Sequence, residues 1–219
     1  MKGVISKSYN EKTVFDRFAF DFADREITCI VGPSGVGKTT LLKAVGGLIS
    51  VDGDFKSQPS AFVFQEDRVL PHLTAEENLS YIGATAESAK LALEKCRMQD
   101  KASRFAGNLS GGEKQRVALA RAFCADMPVW LLDEPFSALD TPLKIQLWQD
   151  FIALWAEKKP TVLLVTHDLE EAWCLGHRII LLKDGESAYD CRPTRSQFPT
   201  PYGEQGEEKQ KFFHAVLGV

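Results

Sequence analysis

Eight consecutive residues carry the clearest chemistry in the chain. Gly32-Pro33-Ser34-Gly35-Val36-Gly37-Lys38-Thr39 fits the pattern G-x-x-x-x-G-K-[ST]. Glycines at this spacing let the backbone turn tightly and aim several N–H groups at one point, making a cradle for phosphate oxygens. Lys38 is placed to reach the β- and γ-phosphates of a nucleotide, and the Thr39 hydroxyl to hold Mg²⁺. Thr39-Thr40-Leu41-Leu42-Lys43-Ala44 reads as a helix start, whose positive dipole end also favours phosphate. Residues Gly32 through Thr40 are therefore the expected phosphate site.

The loop needs a strand before it and a helix after it. Ile27-Thr28-Cys29-Ile30-Val31 is an apolar, β-branched run in the required place. Three more apolar runs end in polar residues. Gln65 follows Ala61–Phe64, Asp133 and Glu134 end and follow Val129–Leu132, and His167 follows the run Thr161–Val165. Strands alternating with helices predict a parallel sheet, whose ligands bind at the carboxyl ends of the strands. Asp133 suits a carboxylate that binds Mg²⁺ through water. Glu134 suits a group that orients or deprotonates the attacking water. His167 could contact the γ-phosphate, and Gln65 could hold Mg²⁺ or the water. Singly, Gln65 and His167 read as rim residues and Asp133 as a helix cap. Together at strand ends they point to a nucleotide site.

The remaining elements follow from periodicity and capping. Residues 1–31 read as strands, with Thr13–Phe22 partly alternating. Tyr9 sits in a turn-like Ser8-Tyr9-Asn10 and reads as a surface aromatic. A helix over 39–48 ends at Gly46-Gly47, and Asp52-Gly53-Asp54 reads as a turn. Glu66–Leu73 is a loop broken by Pro71, with Val69, Leu70 and Leu73 expected to be exposed. From 74 to about 105 the pattern is helical, with Ala86, Ala89, Leu91, Leu93 and Cys96 as apolar positions. Thr74 with Glu77, and Ser110 with Glu113, read as capping boxes. A helix over 141–157 shows Leu143, Leu147, Phe151 and Leu154 on one face, and Leu169–Cys174 is a further helix. Arg178–Leu182 is a strand closed by the turn Asp184-Gly185, and the tail ends in an amphipathic helix near 207–217.

The chain has 219 residues, 44% of them hydrophobic, which suits one sizeable domain with a real core. A net charge of −4 gives no general basic surface for nucleic acid. No window approaches 18 uninterrupted apolar residues, so no membrane span is expected, and the start of the chain is too short and polar for a signal peptide. Cys29, Cys96, Cys124, Cys174 and Cys191 are scattered without metal-site spacing and read as free thiols in a reducing compartment.

Further motifs carry a family resemblance. Leu109-Ser110-Gly111-Gly112-Glu113-Lys114-Gln115-Arg116 resembles the signature of the ABC transporter ATP-binding subunit. Leu131-Leu132-Asp133-Glu134-Pro135 resembles its Walker B motif, Ser137-Ala138-Leu139-Asp140 its D-loop, Gln65 its Q-loop and His167 its switch histidine. Tyr9 matches the aromatic that stacks on adenine. These motifs run in the family's order over residues 9–167. The resemblance implies an α/β fold: a P-loop NTPase core with a mostly parallel sheet, an N-terminal antiparallel β-subdomain and an inserted α-helical subdomain. One domain is expected over 1–219, its β-subdomain and core at 1–65 and 125–219 and its helical insertion at about 66–124.

The resemblance also implies a mechanism. Two subunits would sandwich two ATP molecules head to tail, with Ser110, Gly111 and Gly112 of one touching the γ-phosphate held by the P-loop of the other. Asp140 joins that nucleotide site. Lys38, Gln65, Glu134 and His167 are the implied catalytic residues, and Thr39, Gln65 and Asp133 the Mg²⁺ residues. Membrane permease subunits would dock near Glu66–Leu73, with an external solute-binding protein as a further partner. The subunit would sit in the cytoplasm on the inner face of the membrane and power import of a small solute. Alternatives are a soluble ABC-type ATPase acting on nucleic acid or ribosomes, and the motor of an exporter. Single-cassette length and the lack of a heptad run in the 72 positions from Lys38 to Ser110 speak against the soluble class. Only 27 positions separate Lys38 from Gln65, which predicts a trimmed antiparallel sheet, and no regulatory domain is expected after residue 219.

Overall fold

The computed structural model describes residues 1–10, 12–66 and 68–218. Asp67, within the predicted 66–73 loop, lies outside them. Two strands open the chain, β1 (Lys2–Tyr9) and β2 (Lys12–Asp21). They are followed by β3 (Ile27–Val31), α1 (Lys38–Val45), β4 (Asp52–Asp54) and β5 (Ser60–Val63). A helical stretch comes next: α2 (Ala75–Ser80), α3 (Ala86–Lys95) and α4 (Gly111–Cys124), with single 3₁₀ turns at Gln99–Lys101 and Ala106–Asn108. The chain then runs through β6 (Val129–Asp133), α5 (Thr141–Lys158), β7 (Thr161–Val165), α6 (Leu169–Leu175), β8 (Arg178–Lys183), β9 (Glu186–Cys191) and α7 (Glu207–Leu217).

The main sheet has six strands in the order β5-β6-β7-β3-β8-β9, parallel except for β9. Every residue of β3, β6 and β7 is buried, so both faces of the sheet are covered. Successive side chains of a strand point to opposite faces, and the two cores divide accordingly. Cys29, Trp130 and Leu132 join the core under α3–α6, whereas Ile30, Leu131 and Leu163 join the core under β1, β2 and α1. The second sheet, β2-β1-β4, is antiparallel, and the reduced spacing before Gln65 leaves it only the three-residue β4 from that segment.

Three local expectations are corrected. Asp52-Gly53-Asp54 is not a turn but the edge strand β4, pairing with Val4–Ser6. Three residues are too few to show alternation. Gly53, at φ +123, passes so close to β1 that an added Cβ would lie 2.1 Å from the Val4 carbonyl oxygen. β9 was not foreseen. It covers the edge of the sheet beyond β8 and is largely exposed, so its sequence carries no apolar alternation. In α3 the buried face is Ala89, Ala92, Leu93 and Cys96, while Ala86 and Leu91 are exposed. The first of these is the opening helical residue, and the second lies on the solvent side of the helix.

The loop before α2 is also less open than its composition predicts. Pro71 is exposed, but Val69, Leu70 and Leu73 are half-buried, and Val69 packs on the larger core. Fully buried Asn78 explains this. Its Oδ1 accepts from Leu70 N at 2.8 Å, and its Nδ2 donates to Leu70 O at 3.1 Å and Thr74 O at 2.9 Å. Thr74 caps α2 with Glu77 in a reciprocal capping box.

At the far side, Asp168 caps α6 by accepting from Glu170 N at 3.0 Å and pairs with Lys144 at 3.0 Å. α7 is fastened to α6 by Lys209–Glu170 at 2.6 Å and by Phe212 stacked on Trp173. Within α6, Glu171 is almost wholly buried. Burial pushes its carboxyl up to about 8, with neighbouring Asp168 adding to the effect.

Two outcomes follow for stability. Asn78→Ala would leave Leu70 N without its partner and Leu70 O with Leu73 N alone, and a loss of about 1–3 kcal/mol is expected in urea unfolding. An unchanged midpoint would refute the pinning role. Glu171 keeps its proton in the folded chain up to about pH 8 but releases it near its ordinary value of 4.5 when unfolded. Stability from this group is thus full below pH 4.5 and declines as pH rises toward 8. Glu171→Gln should raise the melting temperature relative to the parent at pH 8 and not at pH 4.5; an equal difference at both pH values would contradict this.

Candidate active site

The phosphate-loop geometry grows from its glycines. Gly32 (φ +147) crosses the sheet edge so closely that a Cβ would lie 2.2 Å from Leu182 O, and Gly35 (φ +76) and Gly37 (φ +111) take left-handed conformations. Gly37 caps α1 without any side-chain hydrogen bond, leaving the helix's opening N–H groups to a ligand. Lys38 Nζ donates to Gly32 O and Pro33 O, each at 2.8 Å, so the loop's own carbonyls hold the ammonium at its rim. Burial lowers the Lys38 pKa, and Glu134 and Asp133 oppose that shift.

A cavity of about 440 Å³ opens over this loop. Its walls include Tyr9, Ser34, Gly35, Gly37, Lys38, Thr39, Thr40, Gln65, Asp133 and Glu134. Pro33 and Val36 belong to the same loop without lining the cavity. Tyr9, at the end of β1, is 45% exposed, with Lys7 Nζ 5.1 Å from its ring centroid. Asp133 ends β6 almost fully buried. Burial raises its pKa, while hydrogen bonding to Thr39 pulls it back.

Glu134 is the node of the polar set. Its Oε2 lies 3.2 Å from His167 Nδ1 and 3.4 Å from Gln65 Nε2. The His167 side chain is 67% exposed and so has room to move. Glu134 takes φ +51, a conformation that non-glycine residues seldom adopt. Its N–H donates to Val165 O at 2.9 Å, and its carbonyl accepts from Gln115 Nε2 at 2.8 Å and Ser137 Oγ at 3.0 Å. The side chains of β5, β6 and β7 ends thus meet at one carboxylate.

The remaining expected residues lie apart from this cavity. Ser110 and Gly111 are exposed at the start of α4, and nothing lies within 4 Å of where a Gly111 Cβ would be. Ser110 caps α4, accepting from Glu113 N while Glu113 bonds back to Ser110 N. Gly112 faces Ala138 O instead. Asp140 caps α5, its Oδ1 accepting from Leu143 N at 3.0 Å. The exposed start of α4 is therefore a surface separate from the cavity over the 32–39 loop. Gln115 was given no role from sequence, although it stands on the stripe with Leu119, Ala122 and Phe123 that α4 buries. A polar residue on an apolar stripe was the available signal.

A second, apolar hollow of about 480 Å³ lies beside the 66–73 loop, between β5, the end of α2 and α4. Phe62, Phe64, Arg68, Ile82, Ala118, Ala122 and Met127 line it, and Arg68 covers the Phe64 ring at 3.9 Å. Arg121 Nη1 ties α4 to the loop by donating to Arg68 O at 2.7 Å. Among the described residues no helix is long and apolar enough to cross a membrane.

Comparison with known proteins agrees with this architecture. The family model described as ABC transporter matches residues 15–137, more than half of the chain. The aliphatic sulfonates import ATP-binding protein SsuB 1 of Pseudomonas syringae pv. tomato is 41% identical over 194 residues, covering 86% of this chain and 72% of its own. A Mycobacterium sp. protein, SsuB, is 36% identical over 98% of this chain and 92% of its own. The dimeric post-hydrolysis structure of the ATP-binding cassette MJ0796 with ADP and Pi superposes with a TM-score of 0.77 at 31% identity. It covers 87% of this chain and 97% of that one. A further structure, of an ATP-binding subunit of an ABC transporter, gives a TM-score of 0.78 at 25% identity. With its phosphate loop, its carboxylates and its folded frame in agreement, the chain belongs to the ABC transporter family, as an ATP-binding subunit whose ATP hydrolysis is coupled to transport.

Proposed function

We propose that Glu134 is the group that activates water in this ATPase, and that two copies of the chain close around two ATP molecules to reach the reactive state. The observation that carries this reading is the meeting of Glu134, His167 and Gln65 beside a cavity walled by Lys38 and Thr39. A water held by Glu134 attacks the γ-phosphorus and passes its proton to the carboxylate as the bond to the β–γ bridging oxygen breaks, releasing ADP and phosphate. Lys38 and the free N–H groups of α1 stabilise charge on the phosphate oxygens. His167 and Gln65 orient the reacting groups, and Tyr9 offers its ring to the adenine.

The residues at the end of β6 fit Mg²⁺. The buried Asp133 carboxylate and the Thr39 hydroxyl are hard oxygen donors at the same cavity, and Gln65 adds an amide oxygen there. Bound there, Mg²⁺ would neutralise phosphate charge. A divalent cation would also favour the ionised form of Asp133, which burial otherwise disfavours.

Ser110, Gly111 and Gly112 sit outside the chain's own cavity on an exposed helix start, which supports their engaging the phosphate of a second copy, with Asp140 beside the same interface. The dimeric form of MJ0796 lends support. The apolar hollow at Phe64 and Ile82, which Arg68 of the 66–73 loop helps to line, is proposed as the seat of a permease segment beside that loop. The relatives' names support import of an aliphatic sulfonate, and the family resemblance adds a place at the inner face of the membrane and an external solute-binding protein as partner.

Two experiments test these roles. Glu134→Gln keeps shape but loses the proton acceptor. It should bind ATP, hydrolyse it about 10²–10⁴-fold more slowly and accumulate as an ATP-bound dimer in light scattering. A monomer hydrolysing at the parent rate would refute the assignment. Ile82, 38% exposed at the hollow, is not part of the ATP cavity. Ile82→Asp should leave ATP affinity intact yet weaken co-purification with the membrane subunits and lower alkanesulfonate uptake. Undiminished assembly would place the docking surface elsewhere.

A further inference from the structure

Gln115 lies in α4, one turn beyond the Ser110–Gly112 cap, and is 4% exposed. Its amide is committed to one short segment. Nε2 donates to Glu134 O at 2.8 Å and to Ser137 Oγ at 3.4 Å, and Oε1 accepts from Ala138 N at 3.1 Å. A carbonyl and an N–H are the partners, so the amide has one orientation that satisfies both. The first turn of α4 touches the same segment, since an added Cβ at Gly112 would stand 3.0 Å from Ala138 O. The segment is the one that bends Glu134 into its sparsely populated φ of +51. Val165 O grips Glu134 N from β7 at 2.9 Å, and Gln115 grips its carbonyl from α4. α4 is a continuous helix of 14 residues, so a displacement at Ser110 is carried to Gln115 with little loss.

We propose that Gln115 is a positioning residue that joins the two nucleotide sites of the dimer. When Ser110–Gly112 engage the partner's γ-phosphate, the shift of α4 passes through the Gln115 amide to the main chain that aims Glu134. Each site then reaches its reactive alignment only when the other holds ATP. The inference rests on the reading of Glu134 and of the closed dimer given above. Ser137 Oγ also donates to the Glu134 carbonyl at 3.0 Å, but it belongs to the same segment and so reports nothing from α4.

The test uses the full-length chain with Mg²⁺-ATP. Gln115→Met keeps length and burial but removes all three hydrogen bonds of the amide. Per ATP-binding subunit, kcat should fall about tenfold while KM moves less than about twofold, because the phosphate loop is untouched. Should that variant not fold, Gln115→Glu, which still accepts from Ala138 N but cannot donate to Glu134 O, is read on the same terms. Ser110→Ala with Gln115→Met forms a double-mutant cycle. Transmission along α4 predicts that the pair loses no more kcat than the worse single change. Additive losses, or a kcat within about twofold of the parent for Gln115→Met, would overturn the proposal. If Glu134→Gln itself hydrolyses normally, the underlying assignment fails instead. A trapped Glu134→Gln dimer beside a fully active Gln115→Met chain rejects the present inference alone.

Discussion

Lys38 and the carboxylates of Asp133 and Glu134 stand together at the rim of a largely buried sheet. Burial acts against each charge separately: it lowers the Lys38 pKa and raises that of Asp133. The opposite charges nearby offset part of that cost, which is the condition on which an ion-binding site in a low-dielectric rim depends. The phosphates of ATP enter a place where a cation and carboxylates already offset one another in part. Much of the architecture around this rim serves the balance. β3, β6 and β7 exclude water from below, and the glycines of the phosphate loop let backbone N–H groups approach from above.

The same rim explains where the chain is strained. Glu134 must project from the end of β6 toward Gln65 and His167, and a left-handed φ turns it there. Such a conformation persists only when several partners hold it. Val165, Gln115 and Ser137 supply those partners from β7, α4 and the segment that follows. α4 thereby has two duties on one helix. Its capped start is offered to solvent, and its buried stripe reaches the strained residue.

Around this centre polar groups fasten the periphery in addition to its apolar contacts. Asn78 satisfies the backbone of the loop before α2, Arg121 ties that loop to α4, and Lys209 anchors α7 on Glu170. The loop between Gln65 and α2 is consequently a held strap. Its half-buried Val69 and Leu70 leave the neighbouring hollow, lined by Phe64 and Ile82, as the apolar surface that faces outward.

Much was legible from the chain alone. The phosphate loop, the capping boxes at Thr74 and Ser110, and the buried runs of β3, β6 and β7 are local signals. Glycine spacing, a cap residue and a continuous apolar stretch each act within a few positions of themselves. β4 and β9 were not legible, because edge strands this short or this exposed owe their form to a neighbour and not to their own pattern. The exposure of Val69 and Leu70 was misjudged for a related reason: a single buried amide, Asn78, decides it from eight positions away. Sequence named Gln65, Glu134 and His167 as strand-end groups, yet only the parallel order of β5, β6 and β7 brings them to one carboxylate. Gln115 shows the boundary most clearly. Its type and its place on an apolar stripe were visible, but its purpose depends on a backbone carbonyl 19 residues away, and hydrogen bonding at that separation is set by tertiary packing.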